Sequence, residues 1–105
     1  MISGVWDRYE VYIDGQRLLS DQSRALSDHA PDGALSWGYN GFGCSQTSLA
    51  LLLYFGATDN EALSYYRDFK ADVIAELPQA DFEVENSKVI DWLQARRLFD
   101  KGFGE

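Results

Sequence analysis

The sequence is poor in the residues that form covalent or metal-held folds. It has one cysteine, one histidine, one methionine and two prolines among 105 residues. The lone Cys44 cannot form an internal disulfide, and one histidine with one cysteine cannot supply the four ligands of a zinc site. We therefore expect a fold held by side-chain packing, with no disulfide, no metal ion and no cofactor.

Long hydrophobic runs are also missing. The longest apolar stretch, residues 49–55, is far shorter than the roughly 20 residues that a membrane-spanning helix needs. The first four residues contain neither a basic segment nor an apolar one, so they do not resemble a secretory signal. We expect a soluble, cytoplasmic protein that forms a single domain over residues 1–105.

Positive charge is scarce. Nine Lys and Arg residues stand against 17 Asp and Glu residues, which gives a net charge of −8 and an isoelectric point near 4.4. This balance argues against nucleic-acid binding through general phosphate neutralisation, which requires a surplus of basic residues. It favours a basic protein partner instead. The charge is uneven, because residues 34–57 contain no charged side chain and residues 59–91 contain many acidic ones.

The N-terminal pattern is typical of a β-hairpin. Residues 5–13 alternate between two faces, one of which carries Val11 and Ile13, and this period of two predicts a single strand. Asp14 and Gly15 suit a type I′ turn, and residues 16–19 form the returning strand. Two further short strands are predicted over residues 35–39 and 82–84.

Helical signals occupy the remaining chain. A helical turn is expected over residues 22–26 and an uncharged helix over residues 44–55, which Gly56 terminates. Thr58 and Glu61 form a capping box for a helix that runs to about Glu76, before Pro78. Asn86 or Ser87 begins a last helix, whose inward residues are Val89, Ile90 and Leu93. The predicted fold is α+β: an N-terminal hairpin in a small, mostly antiparallel sheet, with about three helices packed on one face.

An ordered set of motifs lies in residues 35–94. It comprises Trp-Gly-Tyr-Asn-Gly-Phe-Gly from Trp37, the apolar residues 49–53, Tyr-Arg-Asp-Phe-Lys from Tyr66, Leu77 with Pro78, and Ile-Asp-Trp-Leu from Ile90. In this order the motifs resemble a domain-of-unknown-function family of small bacterial, plasmid and phage proteins. The resemblance implies a common fold unit, but no established activity, so it transfers no catalytic residue.

The glycine-rich turn over residues 37–44 is one candidate site. It leads into a helix whose N-terminal amides could bind an anion, and a Cys44–His29 pair could be imagined. The turn lacks the Lys-Ser/Thr of a P-loop, and no Lys or Arg is near it in sequence. A packing turn is the competing interpretation, in which Trp37, Tyr39 and Phe42 are core and rim aromatics.

The acidic residues form the other candidate site. On an ideal helix Glu61, Asp68, Asp72 and Glu76 fall within an arc of roughly 80°, and we call these four residues the acidic stripe. Carboxylates one turn apart could imitate the phosphate spacing of a nucleic-acid strand. Asp81, Glu83 and Glu85 alternate as a strand does and match no calcium loop. The pattern favours a solvated face, and an oxygen-ligand site for magnesium or calcium is the open alternative.

The sequence thus predicts a non-enzymatic acidic protein-binding module, with no catalytic residue. Its expected partner is a basic nucleic-acid-binding protein or complex. A mobile-element inhibitor of a host defence complex, of the anti-CRISPR or antirestriction DNA-mimic type, would fit. The partner-binding residues would be Glu61, Asp68, Asp72, Glu76, Asp81, Glu83 and Glu85. Two alternatives stay open: a ligand-binding or enzymatic module at the glycine-rich turn, and a structural accessory subunit.

Overall fold

Four antiparallel strands form one sheet at the N-terminal end of the fold. The computed structural model describes residues 1–102. The strands are β1 (Ile2–Val5), β2 (Glu10–Ile13), β3 (Gln16–Arg17) and β4 (Phe82–Val84), in the spatial order β3-β2-β1-β4. Asp14 and Gly15 both have positive φ, at 52° and 85°, as a type I′ turn requires. The α+β class and the strand at residues 82–84 are therefore confirmed.

The single strand predicted over residues 5–13 is wrong. A short 3₁₀ turn, Trp6–Arg8, separates β1 from β2, and Tyr9 follows it with φ at 54°, in the left-handed region. The chain reverses there, so β1 pairs with β2 as a hairpin of its own. The alternation of side chains continued across the reversal, and this concealed the turn in the sequence.

The helices cover one face of the sheet. Ile2 lies opposite Ile13 and Val84, and Gly4 lies opposite Val11 and Phe82, so these six residues share the face that packs on the core. The helices are α1 (Asp21–Leu26), α2 (Phe42–Tyr54), α3 (Asp59–Phe69) and α4 (Ser87–Gly102). The described part of the chain therefore has four helices, of which α1 is the predicted turn over residues 22–26.

Helix α2 is the buried centre of the molecule. Its residues from Cys44 to Leu52 are all buried, as the absence of charge predicted. At its end the amide of Ala57 donates to the Leu52 carbonyl and that of Gly56 to the Leu53 carbonyl, which is a Schellman motif. Gly56 has φ at 101°, so its predicted role as the cap is confirmed.

Helix α3 begins with the predicted capping box. The Glu61 amide donates to Thr58 Oγ1 over 3.1 Å, and the Thr58 amide donates to Glu61 Oε1 over 2.9 Å. After Phe69 the helix widens into a π turn, Lys70–Ile74, in which the Ala75 amide donates to the Lys70 carbonyl. The widening changes the angle between successive residues, so the ideal-helix arc computed for Asp72 and Glu76 does not hold.

Residues 35–39 do not form the predicted strand. Leu35, Ser36 and Trp37 are buried, but their stretch donates its amides to scattered acceptors. The Leu35 amide donates to Tyr9, the Ser36 amide to Gly43 and the Gly38 amide to Ile74. Tertiary contacts thus provide hydrogen-bond acceptors for these backbone amides, without a neighbouring strand.

Two details of α4 differ from expectation. Ile90 is 37% exposed, although Val89 and Leu93 point inward as predicted. Asn86 precedes the helix, but its Nδ2 donates to Asp14 at the hairpin turn and its Oδ1 is unsatisfied, so its side chain does not cap the helix. Within residues 1–102 no helix combines the length and the apolar character needed to cross a bilayer.

Candidate functional site

The acidic stripe faces helix α4, and its first member is strongly paired there. Arg97 donates from Nε and Nη2 to the two carboxylate oxygens of Glu61, both over 2.7 Å. The same guanidinium donates to the Gly56 carbonyl over 3.0 Å. The Arg97 hydrogen bonds, helped by the Thr58 amide, lower the pKa of Glu61 from its ordinary 4.5 to about 2.

The next two members of the stripe also have partners on α4. Arg96 Nη1 donates to Asp68 Oδ2 over 2.7 Å, and its guanidinium lies 4.9 Å from the Tyr65 ring centroid. Trp92 Nε1 donates to Asp72 Oδ2 over 2.9 Å. Within the described chain Glu76 makes no such contact and is exposed.

The three acidic residues near β4 lie apart from the stripe. Asp81 accepts the Trp6 amide over 2.8 Å and so joins the end of β1 to the segment before β4. Glu83 and Glu85 are exposed, and neither makes an ion pair within residues 1–102. Of the seven predicted partner-binding residues, four therefore serve internal contacts: Glu61, Asp68, Asp72 and Asp81.

The contacts from α4 offset part of the repulsion between the carboxylates of the acidic stripe. Carboxylates at i, i+4 spacing on one helix destabilise it unless cations lie close by. Arg96 of α4 supplies such a cation to Asp68, and Trp92 of the same helix donates a hydrogen bond to Asp72. Three of the four stripe carboxylates thus contact α4, and Asp68, Asp72 and Glu76 are still exposed.

The opposite side of α3 lines a cleft against the glycine-rich turn. The cavity measures about 530 Å³. The turn contributes Asn40, Gly41 and Phe42, and α2 contributes Ser45; the rest of the wall comes from His29 and from Tyr66, Arg67, Lys70 and Ala71. None of the described residues that line it is acidic. The turn that the sequence singled out is thus a wall of this cleft.

Two cations face this cleft. Lys70 Nζ donates to Ser45 Oγ over 2.9 Å, which holds the ammonium beside the first turn of α2. Arg67 lies over the Tyr66 ring at 5.3 Å from the centroid. In the part of the chain that the structure describes, neither makes an ion pair with a carboxylate. Lys70 and Ala71 belong to the π turn, a rare geometry that occurs frequently at functional sites.

Gln46 fixes the position of His29 on the wall of the cleft. Its Oε1 accepts the amides of His29 and Ala30 over 2.7 and 3.1 Å. Its Nε2 donates to Ser23 Oγ and to the Ser27 carbonyl. The His29 ring then packs 5.4 Å from the Tyr66 ring, with Nε2 3.0 Å from Ser27 Oγ.

Sequence reasoning missed Lys70, Arg67 and Gln46 as site residues. The two cations are more than 20 residues from the turn, and the packing of α3 along α2 brings them there. A signal for Gln46 was present, because a long polar side chain stood within a helix that was predicted to be buried.

The glycines of the turn have different roles. Gly38 has φ at 84°, and a Cβ there would lie 3.1 Å from the Leu77 carbonyl oxygen, so a side chain is excluded. Gly41 precedes α2 in an extended conformation, and no side chain caps the amides of the first turn. Only the first of these glycines therefore needs a conformation that other residues avoid.

Cys44 lies beneath the cleft and not in it. The residue is fully buried, and burial raises the pKa of its thiol. A thiol in this state has little thiolate character, so it is unsuited to nucleophilic chemistry. Among residues 1–102, no three His, Cys, Asp or Glu side chains converge in a way that could hold a metal ion.

One family matches most of this chain. Residues 6–95 match a family described as a family of unknown function (DUF6166). The chain belongs to this family. Membership in a domain-of-unknown-function family, expected from the ordered motifs, is thereby confirmed, and the match extends back into the hairpin. Comparison with curated proteins and with solved structures found no match. The description of DUF6166 gives no activity, so function must be argued from the site.

Proposed function

We propose that this DUF6166 member binds a small anionic ligand in the cleft between α3 and the glycine-rich turn. The observation that carries the proposal is the pair Arg67 and Lys70, which face a cavity without acidic walls and have no carboxylate partner within residues 1–102. The glycine-rich turn, which the sequence also indicates as a candidate site, forms one wall of this cleft.

The cleft is unusual in this acidic protein because it has two basic side chains without a carboxylate partner in the described chain. A protein with a net charge of −8 repels anions at long range, so an anion is held only where cations are local and close. Four of the nine basic residues, Arg17, Arg24, Arg96 and Arg97, pair with carboxylates of the described chain. Arg67 and Lys70 are one turn apart and remain available in one concave surface.

The size and composition of the cleft suit a small molecule. Ligand pockets typically measure about 300–1,000 Å³ and combine apolar walls with a few polar groups. Here Tyr66 and Phe42 supply apolar surface, and Ser45 and Asn40 supply polar groups. The uncapped first turn of α2 adds partial positive charge at the same wall.

Titration with inorganic phosphate, followed by two-dimensional amide NMR, tests the proposal. We expect saturable shifts at residues 40–45 and 66–71, and at least tenfold weaker binding in the Arg67→Gln, Lys70→Gln double variant. The matched control is Arg8→Gln, Lys88→Gln, which removes the same charge elsewhere. Equal loss in both variants, or no localised shifts in the wild type, would overturn the proposal.

A second candidate is contact with a basic protein segment through Glu83 and Glu85. The observation that favours it is their exposure at the edge strand β4, without an ion pair in the described chain. This candidate keeps the predicted protein-binding module but not the acidic stripe, since α4 occupies three of the four stripe carboxylates.

A Lys/Arg dodecapeptide tests this second candidate. Glu83→Lys, Glu85→Lys should weaken its binding at least tenfold, whereas Asp7→Lys, Asp21→Lys changes the net charge equally and should have a smaller effect. If the two double variants lose affinity to the same extent, the interaction depends on net charge alone and the candidate site is wrong.

A further inference from the structure

A second cavity adjoins the cationic cleft. It measures about 580 Å³ and shares His29 with the cleft as a wall residue. The glycine-rich turn lies along both cavities, since Gly41 lines the first and Gly43 lines the second. Two residues of extended chain span at most about 7 Å, so the two walls are close together.

The second cavity differs from the first in chemistry. Tyr9 and Tyr39 line it and are about half exposed, at 48% and 42%. Among the described residues of its wall, Asp32 is the acidic one. An acidic, aromatic cavity repels an anion and accepts a flat, uncharged ring, whereas the neighbouring cleft attracts an anion.

The backbone at Tyr9 supports a role for its side chain. A φ of 54° places Tyr9 in the left-handed region, which bulky residues rarely adopt. Asn or Gly would adopt this geometry at lower cost. The Tyr9 ring lies 6.5 Å from the Trp6 ring between centroids, and Tyr9 lines the second cavity.

We propose that the ligand is a nucleoside monophosphate, with its phosphate at Arg67 and Lys70 and its base in the second cavity beside Tyr9 and Tyr39. This inference rests on the proposed function. The charge of the two cavities sets the orientation, because the phosphate is attracted to the cationic cleft and repelled by Asp32. The base can stack on tyrosine, because every base presents a π face to an aromatic ring.

Isothermal titration with adenosine 5′-monophosphate, inorganic phosphate and adenosine tests this inference. We expect the monophosphate to bind at least tenfold more tightly than either of its parts. Tyr39→Ala combined with Tyr9→Asn should reduce its affinity to that of phosphate, and phosphate binding should not change. The Asn substitution suits the left-handed backbone, so the fold should persist.

Tyr54→Ala is the matched control, because Tyr54 is an exposed tyrosine that lines neither cavity. Its affinity for the monophosphate should equal that of the wild type. Equal affinity for the monophosphate and for phosphate would overturn this inference and leave the proposed function intact. Failure of both compounds to bind would overturn the proposed function itself.

Discussion

At the scale of single residues, Glu61 shows how one side chain can serve two elements. It completes the capping box of α3 and accepts two hydrogen bonds from Arg97 of α4. Its folded-state pKa is depressed, so its contribution to stability is present above its unfolded value near 4.5. That contribution is lost as the pH falls through about 2.

Glu61→Gln isolates this contribution. Glutamine keeps the capping geometry and removes the charge, so the variant should be less stable at pH 7 by about 1 kcal/mol, as expected for a partly exposed ion pair. The difference should disappear between pH 4.5 and 2. Urea unfolding across this range measures it. Glu83→Gln, without an ion pair in the described chain, is the control, and a difference that is independent of pH would contradict the assignment.

At the scale of elements, Gln46 joins α2 to α1 and to the loop that carries His29. Its four hydrogen bonds leave α2 and end on Ser23, Ser27, His29 and Ala30. The other buried polar residues of α2 include Ser48, whose hydroxyl donates only within the helix, to the Cys44 carbonyl. Gln46 is therefore the polar link that sets one wall of the cleft.

Gln46→Met should destabilise the fold by roughly 2–4 kcal/mol, because several buried groups lose their partners while the side-chain volume is nearly kept. Ser48→Ala, at an equally buried position of the same helix, should cost under about 1 kcal/mol. Chemical unfolding measures both. Similar losses in the two variants would show that Gln46 does not link the elements as described.

Elements that depend on interactions between residues close in sequence could be predicted, and elements without such a local motif could not. The capping box at Thr58, the Gly56 cap and the Asp14-Gly15 turn are local, and the sequence predicted each of them. The reversal at Tyr9 and the π turn at Lys70 were missed, because no motif in the sequence marks either of them. The same holds for the cleft, whose cations and glycine-rich turn meet only in the folded chain.

At the scale of the whole molecule, α3 divides the charge between two surfaces. On one side, Glu61 and Asp68 form ion pairs with two arginines of α4. On the other side, Arg67 lines the cleft together with Lys70 of the π turn that follows. A surplus of acidic residues in the composition therefore says little about where a partner binds. The position of each charge relative to the neighbouring helix decides whether it is available.

The burial of Cys44 offers a way to observe the motions of this molecule. It is the single thiol of the chain and lies buried in the first turn of α2, next in sequence to Ser45, which lines the cleft. A thiol-reactive reagent can modify it only when that region opens. The rate of modification therefore reports how often this region opens. A compound that occupies the cleft should lower the modification rate.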